Sequence, residues 1–550
     1  MSEPEQQAAG RPAAVIGVLG AGTMGSGIAQ LACRSGAQTL LYDPLVEALE
    51  AGRERALDGL RREAAKGRLD AEQARAAGER LSTVAELDAL SDCELVIEAV
   101  PERLELKHQI YGRLSEIVTE SCVLASNTSS LPITAIAAGA THPERVVGMH
   151  FFNPAPVMAL LEVIAGVRSG TAALELARAT GAAMGKTVID ATDGPGFLVN
   201  RCNRPFGLEA LRLLAERIAP IETIDRICRM EGGFRMGPFE LMDLVGVDTG
   251  FEVACSFYEL SYGEPRWRPS PISARYVAAG LHGRKSGQGF YDYAGLGEGG
   301  SYREPDPPAL PPPEGAGEGV LVISGAGPLA GELRAAASAA GYEVRSPHQP
   351  HGGVLPSLII ECYRLPAGAQ DAGVGEAADR GAARMVLCAE GSLSALDPRG
   401  SAVGFHVLPP FGDAGLVELT RAESSSPLAA ERAERLLQSL GKHVAWVGDA
   451  PGLVLGRIVC QLINECAFAL GEGVGAAEDI DTGMLLGLSH PRGPLRWADQ
   501  IGLEHVLGVL DALSREYREE RYRPAPALRR LVAAGRTGEA AGGGFFEYAE

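Results

Sequence analysis

Apolar residues along this chain gather in short unbroken runs, separated by stretches in which they recur every three to four positions. The first run, VIGVL at 15–19, reads as a buried strand. Helical spacing follows over 23–35, and a second strand-like run at 38–42 ends at Asp43. The runs LVIEAV, VLASN, RVVGMHFF and LLEVI continue the series, alternating with helix-like segments. Such alternation predicts an α/β fold: a doubly wound, mostly parallel sheet with covering helices. From 193 to 293 the pattern is almost wholly helical and closes with GRKSGQGFYDY. Residues 294–318 are dense in Gly, Pro and Glu, cannot form a core, and read as a linker.

Beyond the linker the chain repeats its own order of motifs. GVLVISGAGPLAGEL matches VIGVLGAGTMGSGIA, VGFHVLPPFGDAGLVELT matches VGMHFFNPAPVMALLEVI, and DAPGLVLGRI matches DGPGFLVNRC. His406 and Glu418 stand 256 residues after His150 and Glu162, whereas Gly325 follows Gly20 by 305. The second α/β stretch is therefore shorter by about 49 residues. A tandem duplication is expected, with a nucleotide-binding domain at 1–192, a helical domain at 193–293, the linker, a reduced copy of the first domain at 319–448 and a second helical domain at 449–550.

Composition narrows the picture. Of the 550 residues, 46% are hydrophobic and 22% charged, which suits a globular protein and excludes disorder. The net charge of −20 argues against nucleic acid as a partner. No apolar run is long enough for a membrane span. The polar, acidic N-terminus lacks the basic and apolar regions of a secretory signal, so none is expected. Ten cysteines without a C-x-x-C suggest neither a metal site nor a disulfide framework, and a cytoplasmic setting fits.

Gly20, Gly22 and Gly25 form G-x-G-x-x-G between a strand and a helix, about 20 residues before an acid at a strand end. The three glycines permit a tight turn, close approach of a pyrophosphate and close helix–strand packing, in that order. The helix start, with Thr23 and Met24, then faces the phosphates. Asp43 is placed to bind ribose hydroxyls and to repel a 2′-phosphate, which favours NAD over NADP. This is the pattern of a Rossmann domain.

Four polar residues stand out in apolar or turn-rich surroundings: Ser129 after VLAS, His150 at the end of VVGMH, Glu162 within LLEVI, and Asn200 after GPGF. A buried carboxylate such as Glu162 needs a partner. Together, GAGTMGSGIA, SNTSSL, GMHFFNP, LLEVI, DGPGFLVNR and GRKSGQGFYDY resemble the L-3-hydroxyacyl-CoA dehydrogenase family over about 14–293 and, more weakly, 319–549. The four-part arrangement resembles its long bacterial type, linked to phenylacetate breakdown and acting on 3-hydroxyadipyl-CoA or 3-hydroxybutyryl-CoA.

The resemblance implies that His150 takes the proton of the 3-hydroxyl while hydride leaves for NAD, with Glu162 orienting His150. It places Ser129 at the reacting oxygen or the nicotinamide region and Asn200 at the acyl oxygens. For NAD it adds Glu98, Glu102, Lys107, Asn153 and Lys285. For the CoA phosphate, the segment RREAAKGRL offers Arg61, Arg62, Lys66 and Arg68, the last two foremost. It further implies that the helical domains pair within the chain as a pseudo-dimer, with a homo-oligomer left open. In the second copy Ser392 corresponds to Ser129 and Gly456 replaces Asn200. No acid stands where Asp43 would be, so His406 and Glu418 are expected to survive as a buried, mutually satisfied pair. Two other functions share parts of the pattern: a β-hydroxyacid dehydrogenase acting on free acids, and a non-catalytic protein binding NAD or CoA. Arg235 in GGFRMGPFEL reads first as a solvated or helix-capping residue, and meets a distal substrate carboxylate only if it faces the acyl end.

Overall fold

The computed structural model describes residues 10–296, 302–303, 305–311, 313, 316–325, 327–347, 355–362, 381–398 and 400–549. The expected linker at 294–318 falls partly outside the described residues. The chain forms two compact units, Met1–Arg201 with Glu472–Leu488, and Cys202–Gly471 with Ser489–Glu550.

The first unit is built on eight strands: β1 (Val15–Leu19), β2 (Gln38–Tyr42), β3 (Leu81–Val84), β4 (Leu95–Glu98), β5 (Val123–Ser126), β6 (Val146–Phe151), β7 (Leu160–Ala165) and β8 (Thr187–Thr192). Their order is β3-β2-β1-β4-β5-β6-β7-β8. Neighbours are parallel except β6 and β7, which run antiparallel. The order reverses between β1 and β4, so a crevice lies at the carboxyl ends of those strands, where ligands bind in such sheets. The central strands are apolar on both faces because helices cover both. Ile16, Val18, Leu41, Ile97, Val147 and Met149 pack with Ile28, Leu31 and Leu60 of α1 (Thr23–Arg34) and α2 (Val46–Ala65) in one core.

A helix from far along the chain, Ala477–Leu488, covers β7 and β8 of this same unit. Small residues allow the approach. A Cβ on Gly483 would lie 2.6 Å from Val199, and one on Gly487 would lie 2.8 Å from Leu160. The Thr192 N–H donates to the Val474 carbonyl at 2.9 Å, and Arg201 pairs with Glu472 at 2.7 Å.

The second unit contains β9 (Val320–Ser324), β10 (Glu343–Arg345), β11 (Leu358–Glu361), β12 (Arg384–Leu387), β13 (Val403–His406), β14 (Leu416–Arg421) and β15 (His443–Trp446), ordered β10-β9-β11-β12-β13-β14-β15. Again one neighbouring pair, β13 and β14, is antiparallel. Among the described residues the order is that of the first sheet without a counterpart of edge strand β3, and the centre is kept. Helix Ile221–Met230 packs on β14, and the Gly448 N–H donates to the Ile218 carbonyl at 2.7 Å. These positions lie 256 residues from those of the Thr192–Val474 bond, with the roles exchanged.

The helical stretches before and after the second sheet meet inside this unit. Arg457, fully buried, bonds Glu209 at 2.5 Å, Glu216 at 2.6 Å and the hydroxyls of Tyr517 and Tyr522. Arg266 pairs with Glu465 at 2.8 Å, and Arg523 with Glu264 at 3.0 Å. Among the described residues no helix is long and apolar enough to cross a membrane.

Candidate active site

The glycine turn after β1 divides its work as its spacing predicts. Gly20 has φ +91°, and a Cβ there would sit 2.6 Å from the Ala99 carbonyl oxygen. A Cβ on Gly25 would lie 1.7 Å from the Gly20 oxygen, so α1 packs directly on the turn. Around Gly22 nothing lies within 4 Å of an added Cβ. Gly22 and Thr23 are exposed, Met24 is half-buried, and no side chain caps α1. The N–H groups of its first turn thus face the opening, ready for an anion. Asp43 accepts from the Ala21 N–H at 2.8 Å and the Leu45 N–H at 3.0 Å, which fixes its carboxylate at the edge of this turn. These residues fit a dinucleotide.

At the ends of β4 and β5 a polar network forms the crevice wall. Lys107 is almost fully buried, its Nζ 2.7 Å from Glu98 and 3.1 Å from Glu102. Glu98 also accepts from Ser126 Oγ at 2.7 Å and the Val100 N–H at 2.8 Å. Glu102 accepts from Thr128 Oγ1 at 2.6 Å and from the Ser129 N–H at 2.9 Å. Burial alone would raise the Glu102 carboxyl. Lys107 and these hydrogen bonds outweigh it and hold the group below the usual carboxylate range. Glu98 and Lys107 are thus engaged with each other, while Glu102 keeps 35% of its side chain exposed. Ser129 is held by its backbone, and its exposed hydroxyl bonds no described residue.

His150 and Glu162 face each other across antiparallel β6 and β7, as register partners. Their twelve-residue separation is what a short connection between paired strands produces. His150 Nδ1 lies 2.6 Å from Glu162 Oε2, with His150 6% exposed and Glu162 fully buried. The other Glu162 oxygen accepts from the Leu198 and Val199 N–H groups at 3.2 and 3.0 Å. Gly196 (φ 70°) and Phe197 (φ 52°) turn the chain so that those groups point at the carboxylate. The left-handed turn at Phe197 costs about 1–3 kcal/mol. Phe152, with ring centroids 4.6 Å apart, and Phe197 pack against the imidazole. His150 Nε2 bonds no described residue, so the free nitrogen is available to a substrate proton.

Asn200 sits half-buried in the first turn of helix Val199–Ala215, directly after the residues that hold Glu162. Asn153 is exposed in the loop after β6. Lys66 and Arg68 are exposed at the end of α2, while Arg61 is tied to Glu54 and Asp58. Lys285 and Arg235 belong to the second compact unit, where Lys285 pairs with Asp248 at 2.7 Å and Arg235 is exposed.

Two supporting residues escaped sequence reading. Arg55 of α2 donates to the Ala21 carbonyl on the glycine turn. Lys186 donates to the Ala155 and Met158 carbonyls, both at 2.6 Å, bracing the loop that carries Asn153. Burial lowers the Lys186 amine to about 8. Only its place 256 residues before Lys442, which braces the equivalent loop of the second sheet, hinted at this role.

The second sheet keeps the register pair His406 and Glu418, yet the expected bond between them is not formed. Glu418 spends both oxygens on the Val454 and Leu455 N–H groups, each at 2.8 Å. His406 turns instead to His505, with Nε2 atoms 3.1 Å apart. Gly456 makes this possible, since a Cβ there would stand 2.1 Å from the imidazole. The glycine turn is altered too. Pro328 occupies the first position of the following helix and removes an N–H donor, and no acid follows the end of β10 at Arg345 as Asp43 follows β2.

Comparison with known proteins agrees with this geometry. The sequence model "3-hydroxyacyl-CoA dehydrogenase, NAD binding domain" matches residues 15–194, and "3-hydroxyacyl-CoA dehydrogenase, C-terminal domain" matches 196–293 and again 452–548. The Escherichia coli 3-hydroxyadipyl-CoA dehydrogenase is 36% identical over 94% of this chain and 96% of its own length. A probable 3-hydroxybutyryl-CoA dehydrogenase of Bacillus subtilis is 41% identical, covering 96% of itself but 50% of this chain. The crystal structure of a 3-hydroxybutyryl-CoA dehydrogenase from Escherichia coli superimposes with TM-score 0.79 at 33% identity, over 95% of this chain and 99% of that one. With its glycine turn, its His–Glu register pair and its twice-matched helical domain, the chain belongs to the 3-hydroxyacyl-CoA dehydrogenase family of NAD-dependent oxidoreductases.

Proposed function

We propose that this chain oxidises the 3-hydroxyl of an (S)-3-hydroxyacyl-CoA to the 3-oxo group, with 3-hydroxyadipyl-CoA or 3-hydroxybutyryl-CoA as substrate. When bound at the glycine turn, NAD would supply the hydride acceptor. His150 Nε2 removes the hydroxyl proton, and the developing imidazolium is favoured by Glu162 on Nδ1. The carboxylate also fixes the tautomer that leaves Nε2 unprotonated. Ser129 Oγ bonds the reacting oxygen, Asn200 polarises the acyl oxygens, and Lys66 and Arg68 meet the CoA phosphates. Glu102 and Asn153 contact NAD, whereas Glu98 and Lys107 position Glu102; Lys285 stays paired with Asp248 within the second unit. The observation that carries this reading is the 2.6 Å His150–Glu162 bond beside an open Nε2. The two full-length relatives carry different names, one for the adipyl and one for the butyryl thioester, so both substrates are proposed. The test is NADH formation with each thioester, compared as kcat/KM. Activity with free 3-hydroxyacids and not with thioesters would overturn it.

The second half is read as a duplicate. Its segments are 319–448, a reduced nucleotide-type domain, and 449–550, a second helical domain, joined by 294–318 to the first pair at 1–192 and 193–293. The helical segments act as a pseudo-dimer. Exchanged contacts support this: Arg201 with Glu472 and Arg457 with Glu216 are equivalent pairs under the 256-residue offset, as are the bonds Thr192–Val474 and Gly448–Ile218. Such reciprocity is the mark of a two-fold interface. A cytoplasmic setting suits ten free cysteines, nine of them buried.

A further inference from the structure

Three side chains from three separate stretches meet in the interior of the second unit. His406 ends β13, Glu418 faces it on β14, and Glu231 caps the end of helix Ile221–Met230. One ligand atom from each lies within 4.8 Å of the others. His406 and Glu418 are fully buried, and Glu231 is 7% exposed. No hydrogen bond of good geometry reaches either Glu231 oxygen, whose near neighbours are Glu418 and the Leu408 N–H, or His406 Nδ1 or His505 Nδ1. Among the described residues no lysine or arginine pairs with either carboxylate.

Buried carboxylates without a cation are costly, as are buried unpaired nitrogens. Two carboxylates and an imidazole converging in the interior match the charge and ligand preferences of a dication such as zinc. The glycine at 456 supplies the second line of argument, because any side chain there would push His406 from its place beside Glu418.

We propose that Glu231, His406 and Glu418 form a buried structural site for a divalent transition metal of the zinc class, with His505 as a fourth ligand or as the partner that orients His406. The relic of a proton-transfer pair would then serve as a metal clamp joining a helix of the first half to the sheet of the second.

The full-length protein, freed of metal by a chelator, is titrated with zinc alone and followed by calorimetry and thermal unfolding. One zinc per chain is expected, with a rise in Tm. Glu231→Gln and His406→Gln should each weaken zinc binding at least tenfold and abolish that rise, while NADH formation is unchanged. Cobalt(II) in the unsubstituted chain gives a readout independent of those variants: a tetrahedral nitrogen/oxygen spectrum supports the site, whereas a thiolate charge-transfer band points to cysteines and overturns it. No zinc uptake, or equal uptake by wild type and both variants, also overturns it. So does the infrared band of a protonated carboxyl in zinc-treated wild type that vanishes in Glu231→Gln, because a proton shared between Glu231 and Glu418 would then hold the cluster together.

Discussion

His150 and Asp43 carry separable tasks. His150→Ala removes the base and should lower kcat by a factor on the order of 10²–10⁴. NAD affinity should hardly move, since no contact of His150 reaches the glycine turn; a near-normal kcat would take His150 out of the chemistry. In the proposed reaction Asp43 acts on the cofactor alone. Its carboxylate is locked by the Ala21 and Leu45 N–H groups, so Asp43→Ser should narrow the NAD/NADP ratio of kcat/KM. A wild-type preference for NADP would refute that role. Glu102 adds a pH signature. Its folded-state carboxyl is depressed, so the stability it contributes is present above the unfolded value of about 4.3 and is lost as pH falls through the folded value. Glu102→Gln should therefore flatten the acid limb of stability against pH, and an unchanged limb would show that the network with Lys107 contributes nothing.

At the scale of elements, the strands were legible from local period, and the His150–Glu162 pair from the family resemblance of the motifs that carry it. VVGMHF and LLEVIA are unbroken runs, and twelve residues suffice to fold one back on the other. What escaped was every contact made at long range by residues with ordinary surface chemistry. Lys186 and Arg55 look like helix-face cations until the loops they brace are in place. Expecting His406 to pair with Glu418 failed for a similar reason: register predicts that the two strands face each other, but not that Gly456 opens a path to His505, 99 residues away. Arg457 is another such case, fully buried between two glutamates and two tyrosines supplied by distant helices. Arg457→Ala strands Glu209 and Glu216 and should cost about 3–5 kcal/mol in urea unfolding. A loss well under 1 kcal/mol would mean that the pair is solvated.

For the molecule as a whole, the second half is required by the first. Helix Ala477–Leu488 covers β7 and β8, the strands behind Glu162, so a chain cut at 318 exposes that apolar face. The truncated half should dimerise or precipitate; a soluble, active monomer would refute the dependence. Calorimetry should find one NAD per chain, because the second turn has Pro328 at the helix start and no acid after β10. Two equivalents would restore a second site. Joining both halves in one chain also lifts a restriction that binds every dimer of identical subunits. In such a dimer a substitution appears at both equivalent places, so neither pocket can change alone. Here Glu231 and Gly487 are equivalent positions, 256 residues apart. Gly487 lies against Phe152, the ring beside His150, where a carboxylate would crowd the catalytic imidazole. Glu231 occupies the matching place on the other sheet, beside Glu418. In the duplicate proposed above, one chain holds both residues, so equivalent positions are free to carry different chemistry.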